Sequence, residues 1–374
     1  MKKIRVLSVF GTRPEAIKMA PLVKSLEKDE RFESIVCVAA QHREMLDSVL
    51  SIFDIKPNYD LNIMKHGQNI IDISNKVLRG VDEVIKNCEP DIVLVHGDTS
   101  TTLNGALAAF YNKVVIGHVE AGLRSDDIYS PFPEEANRKL TGSIANIHFA
   151  PTKSNKKNLL SEGINSEKVY VTGNTVIDAL LSVINEDYKF KGELLNNIDF
   201  NNKKVILLTT HRRENCGKPM ENIFEAVIEV IEDNDDVEVI FPMHKNPSIR
   251  ELAHKYFDKY KEKIHLIEPL EYVEFTNIMN KVYLIMTDSG GIQEEAPALG
   301  KPVIVLRTET ERPEAVEAGT VKLAGIKKKT IVRTLNELIN NFEIYKSMAY
   351  STNPYGDGKA CEGILDILKN KCKF

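Results

Sequence analysis

The chain has no C-x-x-C pair, no apolar run of twenty residues and no surplus of positive charge, and each absence narrows its possibilities. Its five cysteines, Cys37, Cys88, Cys216, Cys361 and Cys372, stand far apart in sequence. Such spacing suits neither a zinc site nor a disulfide framework and implies reduced thiols in a cytoplasmic protein. Without a long apolar span, no transmembrane helix and no membrane partner are expected. A net charge of −5 and a pI near 6.1 argue against a nucleic-acid partner. The basic start, Met1 to Arg5, is followed by an apolar run that breaks at Gly11-Thr12-Arg13, so it reads as a first strand and not a signal peptide. The first βα turn has neither G-x-G-x-x-G nor a G-K-[ST] ending, and no G-x-S-x-G elbow occurs. No His/Cys/Asp cluster has metal-ligand spacing, so no metal and no cofactor are expected.

What is present is a long alternation of short apolar runs with helical patterns. At 374 residues, with 43% hydrophobic content, the chain fits two domains with sizeable cores. Strands are predicted at 4–10, 34–39, 92–96, 114–118, 147–150 and 169–172, then at 205–209, 237–241, 264–267, 282–286, 302–306 and 320–323. Helical periods lie between them, as at 14–28, 100–111, 220–232 and 330–341. Near-continuous apolar strands separated by helices imply parallel sheets covered on both faces, one in each half. The fold class is therefore α/β with two doubly wound, Rossmann-like domains, 1–172 and 173–354. A final helix follows Asn353-Pro354-Tyr355-Gly356-Asp357-Gly358. Ligands of such sheets bind beyond the carboxyl ends of the strands. Arg13, Asp98, Glu120, His211 and Ser289 all fall there, which points to two lobes facing across a cleft.

The segment Met286 to Pro302, M-T-D-S-G-G-I-Q-E-E-A-P-A-L-G-K-P, is the most telling. A strand that enters a Gly-Gly turn before a helix opening at Gln293 leaves backbone N–H groups and a positive dipole end for an anion. Two adjacent carboxylates would repel a phosphate unless one of them grips a neutral diol such as ribose. An ordinary βα turn is the plain alternative. Arg13 and Lys18 stand near a helix N-terminus against its dipole, which favours an anion clamp over a surface pairing of Arg13 with Glu15. Asp98 in H-G-D-T can act chemically or merely cap the helix at 100–111. Glu120 opens no obvious helix. Glu134 and Arg138 are four apart, so an intrahelical pair competes with a functional role. Three carboxylates on one lobe would form an acid/base set tuned by repulsion and desolvation. In the second lobe His211 and His244 end strands beside basic residues, which suits a diphosphate-binding wall.

Taken together, F-G-T-R-P-E-A-I-K-M-A-P, A-Q-H-R-E-M-L, V-H-G-D-T, G-H-V-E-A-G-L-R, P-E-E-A-N-R, T-G-N-T-V-I-D-A-L, T-H-R-R-E-N, T-D-S-G-G-I-Q-E-E-A-P, T-E-R-P-E-A and N-P-Y-G-D-G span nearly the whole chain. In that order they resemble the non-hydrolysing UDP-N-acetylglucosamine 2-epimerases. The resemblance implies a GT-B-like arrangement, usually a homodimer, with the C-terminal helix at 355–374 returning to the first lobe. It implies reversible interconversion of UDP-GlcNAc and UDP-ManNAc through 2-acetamidoglucal, for surface polysaccharide synthesis, without a nicotinamide. By residue, it implies Asp98, Glu120, Glu134 and His211 as catalytic. It implies Arg13, Lys18, Arg138, Phe275, Ser289, Gly290, Gly291, Glu295 and Arg312 as substrate-binding, and leaves Glu294 as a helix-surface charge.

Some bacterial members carry an allosteric UDP-GlcNAc pocket. Of its positions this chain is similar at Gln41, Arg212, Glu214 and His244, but has Glu44 in place of glutamine and Gly67 in place of arginine. Weak or absent substrate activation is expected. The competing readings are a GT-B glycosyltransferase and an epimerase of a related UDP-diacetamido sugar.

Overall fold

The structure is a computed structural model that describes residues 2–40, 43–65 and 67–371, without the Arg213 side chain. It divides into two compact units. One comprises residues 1–182 and 355–374, and the other residues 183–354.

The first unit is a parallel seven-stranded sheet of β1 (Ile4–Phe10), β2 (Phe32–Val38), β3 (Tyr59–Asp60), β4 (Ile92–His96), β5 (Val115–Val119), β6 (Ile147–Ala150) and β7 (Val169–Val171). The strand order is β3-β2-β1-β4-β5-β6-β7. In β1 the run from Val6 to Phe10 is buried, as helices covering both faces of the sheet demand. One face carries Met19, Leu22, Val23 and Leu26 of the helix Arg13–Lys28, and the other carries Val77, Val81 and Ile85 of the helix Ile70–Cys88.

The second unit has β8 (Lys204–Thr209), β9 (Val237–Pro242), β10 (Ile264–Ile267), β11 (Leu284–Thr287), β12 (Val303–Val305) and β13 (Val321–Leu323). Its order, β10-β9-β8-β11-β12-β13, is also entirely parallel. Each sheet reverses its strand order once, between β1 and β4 and between β8 and β11. A crevice opens at the carboxyl edge at such a reversal, because the flanking loops leave toward opposite faces.

The division between units falls after Ser182, ten residues beyond the boundary expected at 172/173. The helix Thr175–Ser182 packs against the first unit's helix Arg13–Lys28. Its Asp178 accepts from the backbone N–H groups of Ala360 (3.2 Å) and Cys361 (2.9 Å), which cap the last helix, Ala360–Lys371. Burial raises the Asp178 carboxyl, and these donors oppose the rise. The capped helix then places Cys361, Ile364, Leu365 and Leu368 in the first unit's core. Among the described residues, no helix is long and apolar enough to cross a membrane.

Candidate functional site

In the first unit the residues at the β1/β4 reversal are tied together by Glu15. The helix Arg13–Lys28 starts with a capping box. Thr12 accepts from Glu15 N, while Glu15 Oε2 accepts from Gly11 N (3.0 Å) and Thr12 N (2.8 Å). The other oxygen, Oε1, accepts from Thr99 Oγ1 (2.7 Å) and Thr102 Oγ1 (3.2 Å) in the turn after β4. Glu15 is buried and fully engaged, so it is not the surface partner of Arg13 that the sequence allowed.

Asp98 follows β4 but does not cap the next helix. Thr99 does so, by accepting from Thr102 N at 3.1 Å. The Asp98 carboxylate instead receives Arg138 Nη2 at 2.5 Å, and Asn137 Nδ2 holds the Asp98 carbonyl at 2.8 Å. Arg138 also donates to the fully buried Glu135 at 3.1 Å. Of the two readings the sequence left open, the intrahelical pair between Glu134 and Arg138 is absent among the described residues, because Asp98 and Glu135 take the guanidinium. Glu134 is left half-buried, with a buried Oε2 that meets no hydrogen-bond partner among the described residues.

Glu120 follows β5 with φ +60°, a left-handed conformation that is uncommon for a residue with a side chain. Its carboxylate pairs with Lys18 and lies 3.6 Å from His96 Nε2. Burial by itself would raise the Glu120 carboxyl. The charge of Lys18, and then His96, overcomes this and holds it well below the usual carboxylate range. Gly122, at φ +95°, explains the glycine of the H-V-E-A-G motif. A Cβ there would stand 2.3 Å from Asn155 O. His118 Nε2 donates to Gly97 O at 2.7 Å, because a carbonyl oxygen only accepts. Burial pushes the His118 pKa down to about 3.

In the second unit the corresponding reversal, β8/β11, brings Thr210–Asn215 beside Asp288–Gly291. The helix at Gly290–Glu295 begins at the two glycines, not at Gln293, and Ser289 occupies its N-cap without a side-chain cap bond. A Cβ on Gly290 would lie 3.9 Å from Arg212 Nη2 and from Arg312 Cζ, so two guanidinium groups converge on this turn. On Gly291 it would lie 3.5 Å from Glu295 Oε1 and 4.0 Å from Ser289 Oγ. Glu294 is not a surface charge. It is buried and pairs with Arg312 Nε, while Arg312 N donates to Thr310 Oγ1 at 3.1 Å. Phe275 is half-buried on the helix Tyr272–Lys281. Burial raises the Tyr272 hydroxyl on that helix well above its ordinary value, and the negative charge of Glu295 adds to the rise.

His211 is exposed, and its Nδ1 lies 3.2 Å from Asp288 Oδ1. The His244 ring stacks on it with centroids 6.1 Å apart. Glu214 is engaged by Arg307 Nε at 2.7 Å. Arg13 is half-buried at the mouth of its helix, and Gln41 lies outside the described residues.

The structure therefore gathers Lys18, Asp98, Glu120, Glu134 and Arg138 at one sheet edge, and His211, Arg212, Ser289, Gly290, Gly291, Glu295 and Arg312 at the other. Sequence reasoning missed Glu15, His96, Asn215 and Asp288. For Asp288 a signal existed: a carboxylate directly after an apolar strand with only a turn behind it needs donors close by.

The profile of the UDP-N-acetylglucosamine 2-epimerase family matches residues 24–369. A Bacillus subtilis UDP-N-acetylglucosamine 2-epimerase is 53% identical, over 98% of this chain and 96% of its own. The enzyme of that name from Escherichia coli strain K12 is 52% identical, over 98% and 99%. The crystal structure of the Neisseria meningitidis UDP-GlcNAc 2-epimerase bound to UDP-GlcNAc superposes with a TM-score of 0.85 at 49% identity, covering 98% of this chain and 100% of that one.

Proposed function

The chain belongs to the UDP-N-acetylglucosamine 2-epimerase family, and on that premise we propose that it interconverts UDP-GlcNAc and UDP-ManNAc by eliminating and re-adding UDP. The C2 hydrogen has no adjacent carbonyl, so simple enolisation is unavailable. Breaking the C1–O bond first, or largely first, makes C1 cation-like and acidifies C2–H. Loss of that proton to a carboxylate gives 2-acetamidoglucal and UDP. Protonation on the other face of C2, with return of UDP to C1, completes the inversion. The product serves surface polysaccharide precursor synthesis.

The observation that carries this reading is the set of three carboxylates at the first sheet edge, each in a different electrostatic setting. Glu120 is held ionised by Lys18 and His96, Asp98 is balanced by Arg138, and Glu134 has a buried oxygen with no hydrogen-bond partner among the described residues. Three carboxylates with different partners around one sugar can divide base and acid work between them. Arg13, Lys18 and Arg138 position the sugar and its diphosphate. In the second unit, Arg212 and Arg312 converge on the Ser289-Gly290-Gly291 turn, which suits a diphosphate. Glu295 beside Gly291 suits the ribose hydroxyls, Phe275 the uracil surroundings, and His211 the departing phosphate. Charge placed in advance where the leaving group develops its own is usually the largest catalytic contribution.

Incubation with UDP-GlcNAc in deuterated water tests the reading. UDP-ManNAc carrying deuterium at C2 is the expected product. Free ManNAc, transfer to an acceptor only, or epimerised product with protium retained at C2 would each overturn it.

A further inference from the structure

One buried carboxylate locks the turn after β8 to the turn after β11. These strands are parallel neighbours with Thr209 opposite Thr287, and Thr209 Oγ1 donates to Thr287 Oγ1 at 2.7 Å. One position further, the same register sets Thr210 and His211 beside Asp288. Asp288 is completely buried. Its Oδ2 accepts from Thr210 Oγ1 (2.9 Å), His211 N (3.0 Å), Arg212 N (2.9 Å) and Asn215 Nδ2 (2.9 Å). Those four donors meet the needs of holding the loop. The Asp288 backbone carbonyl also accepts from Arg212 Nε at 3.1 Å, which fixes the stem of the guanidinium that reaches Gly290.

The second oxygen does something different. Oδ1 lies 3.2 Å from His211 Nδ1, with a longer approach of 3.3 Å from His211 N. A bare Nδ1 lone pair facing a carboxylate oxygen at this distance is repelled, so the site favours the ring with its hydrogen on Nδ1. Nε2 is then the nitrogen left to meet a ligand, on a side chain 47% exposed. The His244 ring lies alongside, inclined by 20° with its centroid 6.1 Å away. A buried acceptor on Nδ1 and an exposed Nε2 make the arrangement by which histidines are held in one tautomer for work at the other nitrogen.

We infer that Asp288 is a positioning residue for His211: it fixes the Nδ1–H tautomer and aims Nε2 at the diphosphate of the nucleotide sugar. This rests on the role given to His211 above. With a proton on Nε2 as well, the ring donates to the phosphate oxygen that leaves C1, and Asp288 balances the imidazolium. When that oxygen returns to C1, the ring goes back to its resting state with no net proton change.

The test uses the full chain with 15N-labelled histidine and two variants. In the wild type, His211 should show an Nδ1-protonated ring, as the neutral tautomer or as imidazolium. Asp288→Asn can turn its amide toward Nδ1, so His211 should move to the Nε2–H tautomer. Turnover of UDP-GlcNAc should fall at least about tenfold, while the dissociation constant for UDP changes by less than about threefold. Thr210→Val removes one anchor of the loop and leaves the imidazole contact; it should keep turnover within about threefold of wild type. A neutral Nε2–H tautomer in wild type overturns the inference, and so does Asp288→Asn with wild-type turnover. An equal loss in Thr210→Val overturns it as well, because the effect is then one of loop stability. The wild-type spectrum decides the tautomer even if Asp288→Asn does not fold. It also stands if the chain proves inactive on UDP-GlcNAc, which would defeat the functional reading alone.

Discussion

At the scale of single residues, the candidate acid/base groups are distinguished by their neighbours more than by their own chemistry. Glu120 is the clearest case. Desolvation pushes its carboxyl up, and the ammonium of Lys18 together with His96 more than reverses that. Lys18→Met leaves the desolvation and removes the larger opposing charge, so the Glu120 pKa must rise. Activity that needs ionised Glu120 will then be lost at a higher pH on acidification. The acid limb of the kcat/KM profile should move to higher pH. An unmoved limb with a reduced plateau would mean that Lys18 acts on the substrate and not on Glu120. Asp98, by contrast, was placed in the right turn by sequence, but its partner was not legible. H-G-D-T offers both Asp98 and Thr99 as caps, and only the structure shows that Thr99 takes the cap and frees Asp98 for Arg138. Glu294 was misread for the same reason. Its partner Arg312 is eighteen positions away, beyond any local pattern.

At the scale of elements, the strands were readable because apolar runs bounded by turn residues have few alternatives. The sequence reading found β1, β4, β6 and β10 at their exact limits and shifted β5 and β11 by one or two residues. It missed β3, whose two residues, Tyr59 and Asp60, are too short to form a pattern. The turn at Gly290 was read as a glycine loop before a helix, whereas the helix starts on the glycines themselves. Helical periodicity does not reveal which unit a terminal helix joins, because any apolar face would serve; the Asp178 cap supplies the missing information. Asp178→Ala removes acceptors for two orphan N–H groups at the start of the helix Ala360–Lys371. A loss of about 1 kcal/mol is expected, together with faster amide exchange across Ile364–Leu368 relative to β1. Unchanged exchange there would show that the apolar face alone secures the helix.

At the scale of the whole molecule, two sheets with the same kind of strand reversal carry two different chemistries. The first edge is rich in carboxylates balanced by Lys18 and Arg138. The second carries the paired guanidinium groups of Arg212 and Arg312 with a Gly-Gly turn. Similarity over 98% of the chain to the Bacillus subtilis and Escherichia coli epimerases includes both halves. The central claim is that UDP leaves C1, is retained, and returns to the same sugar. It can be tested most directly with UDP-GlcNAc carrying 18O in the bridge between C1 and the β-phosphorus. Once that bond breaks, the terminal phosphate oxygens of UDP become equivalent by rotation. The account predicts that UDP-GlcNAc recovered during turnover carries part of its label in non-bridging positions. Epimerisation with the label wholly retained in the bridge would contradict it.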